Sequence, residues 1–316
     1  MKASARATRP RVPAPADVVC FGMIIPSIVL VVDEFPEHNT GALITRMQEI
    51  VEDDAAIIAC VLRQWRVRSA LVGTALGADA RGRETRRKLK ELGVQGRVRL
   101  SRSITTPYEV DVSDRSGHRT YFWQRDRQVL DTLDMADLAP LCGAKFLYVD
   151  WYDGDHILRA MDEANRLGVT VLLNLEHAHD DARRLKEYVG RAHIVQASTD
   201  AAQKSGDPIA VARTLLDAGA KVALVTLASE GCLAATRDGM LRAHAPSVNV
   251  VDGCGAGASF SAGFMYGQLR GWDLEESVRF AVAAGSFKCT QVGLDTLPLA
   301  QIKLLVDSVR VERVEG

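Results

Sequence analysis

The feature that constrains this chain most is a regular exchange of short apolar runs with amphipathic stretches of helical length. Strand-like runs fall at 18–21, 70–73, 146–150, 169–173, 192–195 and 222–226. Between them, segments 54–65, 81–92, 156–167, 181–189 and 208–218 place apolar residues at helical spacing. Parallel strands can be joined only by a crossover, usually a helix. The alternation therefore predicts an α/β fold, a mainly parallel sheet covered by helices on both faces. Gly93, Gly168 and Gly219 each follow a predicted helix, where a C-terminal glycine belongs. In such sheets ligands bind at the carboxyl ends of the strands.

Two excursions interrupt the alternation. Segments 28–32 and 43–51 read as strands on either side of the turn at Asp33-Glu34-Phe35-Pro36, and a further β segment begins at Val94. Segments 108–112 and 118–123 read as a hairpin whose turn runs from Ser113 to Gly117. The aromatic residues of the return strand have two open readings: they face a ligand or a partner subunit, or they form the core of this small sheet.

A third feature carries chemistry. Residues 249–264 read as a strand entering near Val248, a turn crowded with Gly253, Gly255 and Gly257, and a helix from Ala258 onward. Backbone N–H groups at a helix start lack intrahelical partners, and the helix dipole favours negative charge there. Glycines let such groups approach a ligand closely, so the turn is a candidate phosphate site. A plain strand–helix connection is the alternative.

Composition excludes several classes. The formal net charge of -1 gives no electrostatic case for nucleic acid or an anionic membrane. No apolar run reaches spanning length. The six cysteines, at 20, 60, 142, 232, 254 and 289, include no C-x-x-C pair, so neither a disulfide framework nor a zinc site is expected, and a reducing, cytoplasmic setting is. Residues 1–16 carry Lys2, Arg6, Arg9 and Arg11 without the apolar core of a signal peptide, and read as a disordered basic tail before a domain over 17–310.

The stretch Asp252-Gly-Cys-Gly-Ala-Gly-Ala-Ser-Phe260 resembles the second signature of the PfkB (ribokinase) family of carbohydrate kinases, roughly D-T-x-G-A-G-D-x-F. The resemblance runs from about Val18 to Pro298 and is strongest after Val222. It implies a ribokinase-like three-layer sandwich with a small β lid, its segments near 28–51 and 108–125. It also implies ATP-dependent phosphoryl transfer to a hydroxyl of a small sugar, polyol or nucleoside. Implied with it are Mg2+, a monovalent cation as a further candidate, and a homodimer through the lid strands. Gly255, Ala256 and Gly257 would form the anion hole. Thr226, Ala228, Gly231 and Gly253 would lie against the nucleotide phosphates, Ala228 replacing a family glycine. Ser286, with Val282, Ala283 and Phe287, would lie near the adenine or serve as helix core. Asp200 would keep one carboxylate of the family's metal network, or cap the helix that follows it. The family's D-x-N becomes Asn174-Leu175-Glu176.

Three departures matter more. The family base that deprotonates the acceptor is replaced by Ala258. Ser27 stands where the family offers an Asp to sugar hydroxyls. The family's G-G-N-A-A-N becomes Glu52-Asp53-Asp54-Ala55-Ala56-Ile57, putting two carboxylates where paired glycines let a sugar approach. Asp54 is a candidate hydroxyl ligand or a helix N-cap, and Asp53 is a substrate-side candidate. The expectation is a kinase-like protein with very slow or absent transfer; the alternative is a non-catalytic nucleotide- or metabolite-binding protein or interaction subunit.

Overall fold

The computed structural model describes residues 15–114, 119–199, 206–294 and 296–314. The first part of the chain contains β1 (Val18–Gly22), β2 (Ile25–Val32), β3 (Ile44–Glu52), α1 (Asp54–Gln64), β4 (Ser69–Gly73), β5 (Leu76–Gly77), α2 (Ala80–Glu91), β6 (Leu100–Ser101), β7 (Tyr108–Ser113), β8 (Arg119–Gln124) and α3 (Gln128–Asp131). Then follow β9 (Phe146–Asp150), α4 (Leu158–Leu167), β10 (Thr170–Glu176), α5 (Ala182–Glu187), β11 (Ile194–Ser198), α6 (Pro208–Asp217) and β12 (Val222–Thr226). The chain closes with β13 (Cys232–Thr236), β14 (Gly239–Ala243), α7 (Ala256–Arg270), α8 (Leu274–Cys289), α9 (Leu299–Val306) and β15 (Val311–Val314).

The main sheet has nine strands in the order β15-β14-β13-β12-β11-β10-β9-β1-β4. From β12 to β4 every pairing is parallel, as the alternation predicts. Beyond β12 the sheet turns antiparallel through β13, β14 and β15. The strand expected at Val248 does not form. The sheet position beside β14 is taken by β15, so residues 244–251 have no ladder to join. Val251 and Asp252 instead donate to the Cys289 carbonyl at the end of α8, at 2.8 and 3.2 Å.

Apolar side chains divide between the two faces of the sheet. One core gathers Ile57, Leu62, Phe264 and Phe280 under α1, α7 and α8. The other gathers Met161, Leu173, Val195 and Leu215 under α4 and α6. On the first face α7 and α8 lie unusually close. A Cβ on Gly263 would sit 2.9 Å from the Ala281 Cα, so glycine is what permits the approach. Trp65 locks this face by donating its Nε1–H to the Leu297 carbonyl at 2.7 Å. Rigid packing behind α7 fixes the glycine turn at its start.

A separate four-stranded sheet has the order β3-β2-β7-β8, with β2 and β7 parallel. It is tied to the glycine turn: Ser113 Oγ donates to Asp252 Oδ1 at 2.9 Å, and Arg119 Nη1 donates to the Gly253 carbonyl at 3.0 Å. The core reading of its return strand fails, because Phe122 and Trp123 are 53% and 57% exposed. The proposed tail falls mostly outside the described residues; its last residue, Ala16, is buried against the second core.

Candidate active site

The turn before α7 is built around Asp252. Its carboxylate is fully buried and fully used. Oδ1 accepts from Ser113 Oγ and the Cys254 amide, each at 2.9 Å, and Oδ2 accepts from Lys288 Nζ at 2.9 Å and the Gly293 amide at 3.1 Å. Lys288 has no exposed side-chain surface and gives further hydrogen bonds to the carbonyls of Asp252 and Gln291. Burial pulls the Asp252 carboxyl upward, but the Lys288 charge and these donors outweigh it and hold it below the usual carboxylate range. Asp252 is thus the anchor of the turn. Lys288 escaped sequence reading; its only signal is a lone cation that directly follows the run Ala281 to Phe287 of small and apolar residues.

Gly255 takes a left-handed conformation, φ 71°, as N-cap of α7, and no side chain caps the helix. A Cβ there would also meet Ile57 and Leu294 at 3.3 and 3.4 Å. Gly257 is exposed while Ala258, one residue on, is completely buried. An open, uncapped helix start is a ready anion site. At position 258, where the family resemblance would put the base, the side chain is a fully buried methyl. Ser259 is no substitute, since its hydroxyl is buried among core atoms without a hydrogen-bond partner.

The neighbouring β12 loop keeps glycine geometry without all its glycines. Ala228 has φ 48°, and Gly231 has φ 98° with no room for a Cβ, which would lie 2.0 Å from the Ala243 carbonyl oxygen. Thr226 Oγ1 donates to the Ala197 carbonyl at 3.2 Å and is thereby committed to the sheet. A left-handed alanine is strained by roughly 1–2 kcal/mol. Ala228→Gly is therefore expected to raise unfolding free energy by about 1 kcal/mol, read as a higher urea midpoint at unchanged slope. No change, or a loss, would contradict the strain. Ser286 is half-buried on α8, beside Gly285, which packs against the Ala256 carbonyl. Asp200 lies outside the described residues; the helix that follows is capped by Asp207, which accepts from the Ile209 amide.

Acids crowd the carboxyl ends of β1, β9 and β10. Asp53 precedes α1 with φ 70° and ψ 142°, a conformation suited to the glycine it replaces. Asp54 does not cap α1, contrary to one reading of the sequence; it is the first helical residue. Its Oδ2 accepts from Tyr148 Oη at 3.1 Å and Asn174 Nδ2 at 3.2 Å. Burial and the Glu176 charge push its carboxyl up to about 6. Ser27 Oγ donates to Asp111 Oδ2 at 3.4 Å, and the Cys254 thiol donates to Glu52 Oε1 at 2.6 Å. Burial, reinforced by Asp111, holds Glu52 well above the usual carboxylate range, and burial raises Cys254 likewise. Glu52, Asp111 and Cys254 form one compact donor group and Asp54, Asp150 and Glu176 a second. C-x-x-C spacing could not reveal the first, because its members come from β3, β7 and the glycine turn.

Carboxyls raised by folding make the apo protein sensitive to alkali. Burial with the charge of Asp111 lifts Glu109 to about 7, and Asp54 stands at about 6. Groups raised on folding bind more protons in the native state, so their stabilising contribution is complete below their unfolded values. It is lost as pH rises from about 4 through about 7. The melting temperature of the ligand-free chain is expected to fall between about pH 5 and pH 8. A melting temperature that climbs across this window would contradict the placement of these acids.

The sequence profile of the pfkB family carbohydrate kinases matches residues 15–301. The chain belongs to that family. The nucleoside kinase of Methanothermobacter thermautotrophicus is 28% identical over 286 residues, covering 89% of this chain and 91% of that protein. Among solved structures, the nucleoside kinase of Methanocaldococcus jannaschii superposes with a TM-score of 0.75 at 20% identity, covering 94% of this chain and all of that one. Arabidopsis thaliana ribokinase complexed with ribose and ATP superposes at 0.70 and 19% identity, covering 93% of this chain and 99% of that one. These likenesses establish the ribokinase fold. No helix among the described residues is long and apolar enough to cross a membrane.

Proposed function

We propose that this chain binds Mg-ATP or ADP at the start of α7 and transfers a phosphoryl group to a small sugar, polyol or nucleoside very slowly or not at all. One observation carries the reading: an exposed, uncapped helix start at Gly257 adjoins a fully buried methyl at Ala258. The first feature favours phosphate; the second removes the group that would take the acceptor proton. Of the acids nearest the turn, Asp252 is held by Lys288, and one oxygen of Glu52 accepts from the Cys254 thiol. Transition-state charge can still be stabilised by a positioned anion hole, so residual transfer is compatible with the geometry. The Mg2+ carboxylate suggested by resemblance, Asp200, lies outside the described residues.

A second reading, a non-catalytic nucleotide- or metabolite-binding protein or interaction subunit, is supported by the replacements at Ser27, Glu52 and Asp53. When ionised, Glu52 and Asp53 should also repel sugar phosphates. Exposed Phe122 and Trp123 on β8 suit a homodimer through the small sheet; sedimentation at working concentration distinguishes monomer from dimer. Six free cysteines agree with a reducing, cytoplasmic setting.

The test is calorimetry of Mg-ATP and ADP with the unmodified chain. Saturable heat is expected, with stabilisation of about 2.7 kcal/mol when nucleotide stands at 100 times its Kd. Absence of both heat and stabilisation at millimolar nucleotide would sink the anion-hole reading.

A further inference from the structure

Six carboxylates converge at the strand ends: Asp53, Asp54, Glu109, Asp150, Asp153 and Glu176. Mutual repulsion shows in the raised protonation of Asp53, Asp54, Asp150 and Asp153. Burial acts first, then the neighbours Asp153 on Asp53, Asp150 on Asp153, and Glu176 on Asp54 and Asp150. Two guanidiniums face them. Arg125 acts on Asp53, Asp153 and Glu109 but is held over the Tyr152 ring, donating to its hydroxyl at 2.8 Å. Arg119 acts on Asp54 while donating to the Gly253 carbonyl. The remaining donors between Asp54 and Asp150 are neutral, the Tyr148 hydroxyl and the Asn174 amide.

Independent of charge count, the site contains unanswered acceptors. Asp153 is 1% exposed, and neither carboxylate oxygen has a hydrogen-bond partner; the Met23 amide approaches without closing one. Its Oδ2 lies 2.7 Å from where a Cβ on Gly22 would stand, so glycine at the end of β1 leaves the room this carboxylate occupies. Asn174 is 2% exposed and spends its Nδ2 on Asp54 and Asp150, while its Oδ1 accepts nothing. Buried acceptors left without donors are costly, so a ligand that supplies donors and positive charge is what this geometry lacks.

We propose that the acceptor site takes a cationic hydroxyl compound, an amino sugar or aminocyclitol bearing a protonated amine. This rests on the reading that the strand ends form the acceptor site. An ammonium brings three N–H donors and one charge, matching carboxylates that have few donors of their own. A bare divalent ion fits less well. The Asp54, Asp150 and Glu176 oxygens lie within 4.8 Å of one another and could hold an ion, but Asp153 is outside that group and would remain unanswered. A polyatomic ligand reaches both, and its hydroxyls can serve the Asn174 carbonyl. The same acids explain why Glu52 and Asp53 are tolerable where a neutral sugar would call for glycine.

The test uses matched probes without nucleotide: glucosamine against glucose and N-acetylglucosamine, and 2-deoxystreptamine against scyllo-inositol. Calorimetry and melting curves on the full chain read each. The amines are expected to bind about tenfold or more tightly than their neutral partners. Asp153→Asn removes an unpartnered buried carboxyl while conserving shape. It is expected to raise the melting temperature of the free chain and to shrink the amine-induced rise, a pairing that a purely structural role would not give. Asp150→Asn should weaken amine binding as well. Equal binding of neutral and amine probes, or no binding of either amine, overturns the proposal. So does equal stabilisation by Mg2+ or Ca2+ alone that vanishes in the same variants. Because nucleotide is absent, failure of ATP binding leaves this result interpretable, and failure here leaves the anion hole untouched.

Discussion

Lys288→Met is expected to lower the unfolding free energy by about 3–5 kcal/mol, the largest single-residue effect on stability we anticipate. Lys288 and Asp252 have no exposed side-chain surface, and their 2.9 Å ion pair is completed by hydrogen bonds from Ser113, Cys254 and Gly293. Removing the cation leaves a buried carboxylate whose charge has lost its main compensation. The pair gains little over an apolar replacement of both partners, but a single deletion exposes the full penalty. Damage should spread from stability to binding, because Asp252 fixes the turn that opens α7. Nucleotide affinity is therefore expected to fall along with the urea midpoint. The double variant Lys288→Met with Asp252→Asn should recover part of the stability, since no buried charge remains. A Lys288→Met chain as stable as the unmodified one would mean that this anchor does not hold the turn.

Ala258→Asp is expected to raise phosphoryl transfer by about 10²–10⁴-fold, the usual worth of a general base. The substitution places a carboxylate in the first turn of α7, where the helix dipole favours it. It also replaces a wholly buried methyl, so a stability cost of about 1–3 kcal/mol should accompany the gain. Assays should span sugars, polyols, nucleosides and the amine-bearing probes. A gain with one acceptor class would name the substrate side directly. If the variant folds, binds nucleotide and remains silent throughout, the carboxylate-filled acceptor site is the deeper obstacle and the binding-protein reading gains.

The fold was largely legible because its strands and helices announce themselves by period. β1, β4, β9 and β12 appear where short apolar runs lie, and α6 begins at its proline. What escaped depends on pairing rather than on local preference. Residues 248–251 look like a strand by composition, yet β15, over sixty residues later, takes the edge they would need. The glycine turn was legible because glycine itself is the requirement, as φ 71° at Gly255 demonstrates. At Asp53 and Ala228 the glycine is gone but the backbone remains left-handed, a persistence that no residue type reveals. The acids were visible singly. Their convergence was not, since Glu109, Asp150, Asp153 and Glu176 come from three strands and a 3₁₀ turn. Lys288 was hidden for a related reason: its partner lies 36 residues away, before α7, while Lys288 sits at the far end of α8.

Single-turnover transfer of a labelled γ-phosphate by the unmodified chain, with nucleotide bound and each acceptor present in turn, tests the central claim most directly. Nucleotide is expected to bind while transfer stays at least about 10²-fold below the ordinary kinase range of roughly 1–100 per second. Transfer within that range to any acceptor would contradict it, and would require another residue to act as the base in place of Ala258.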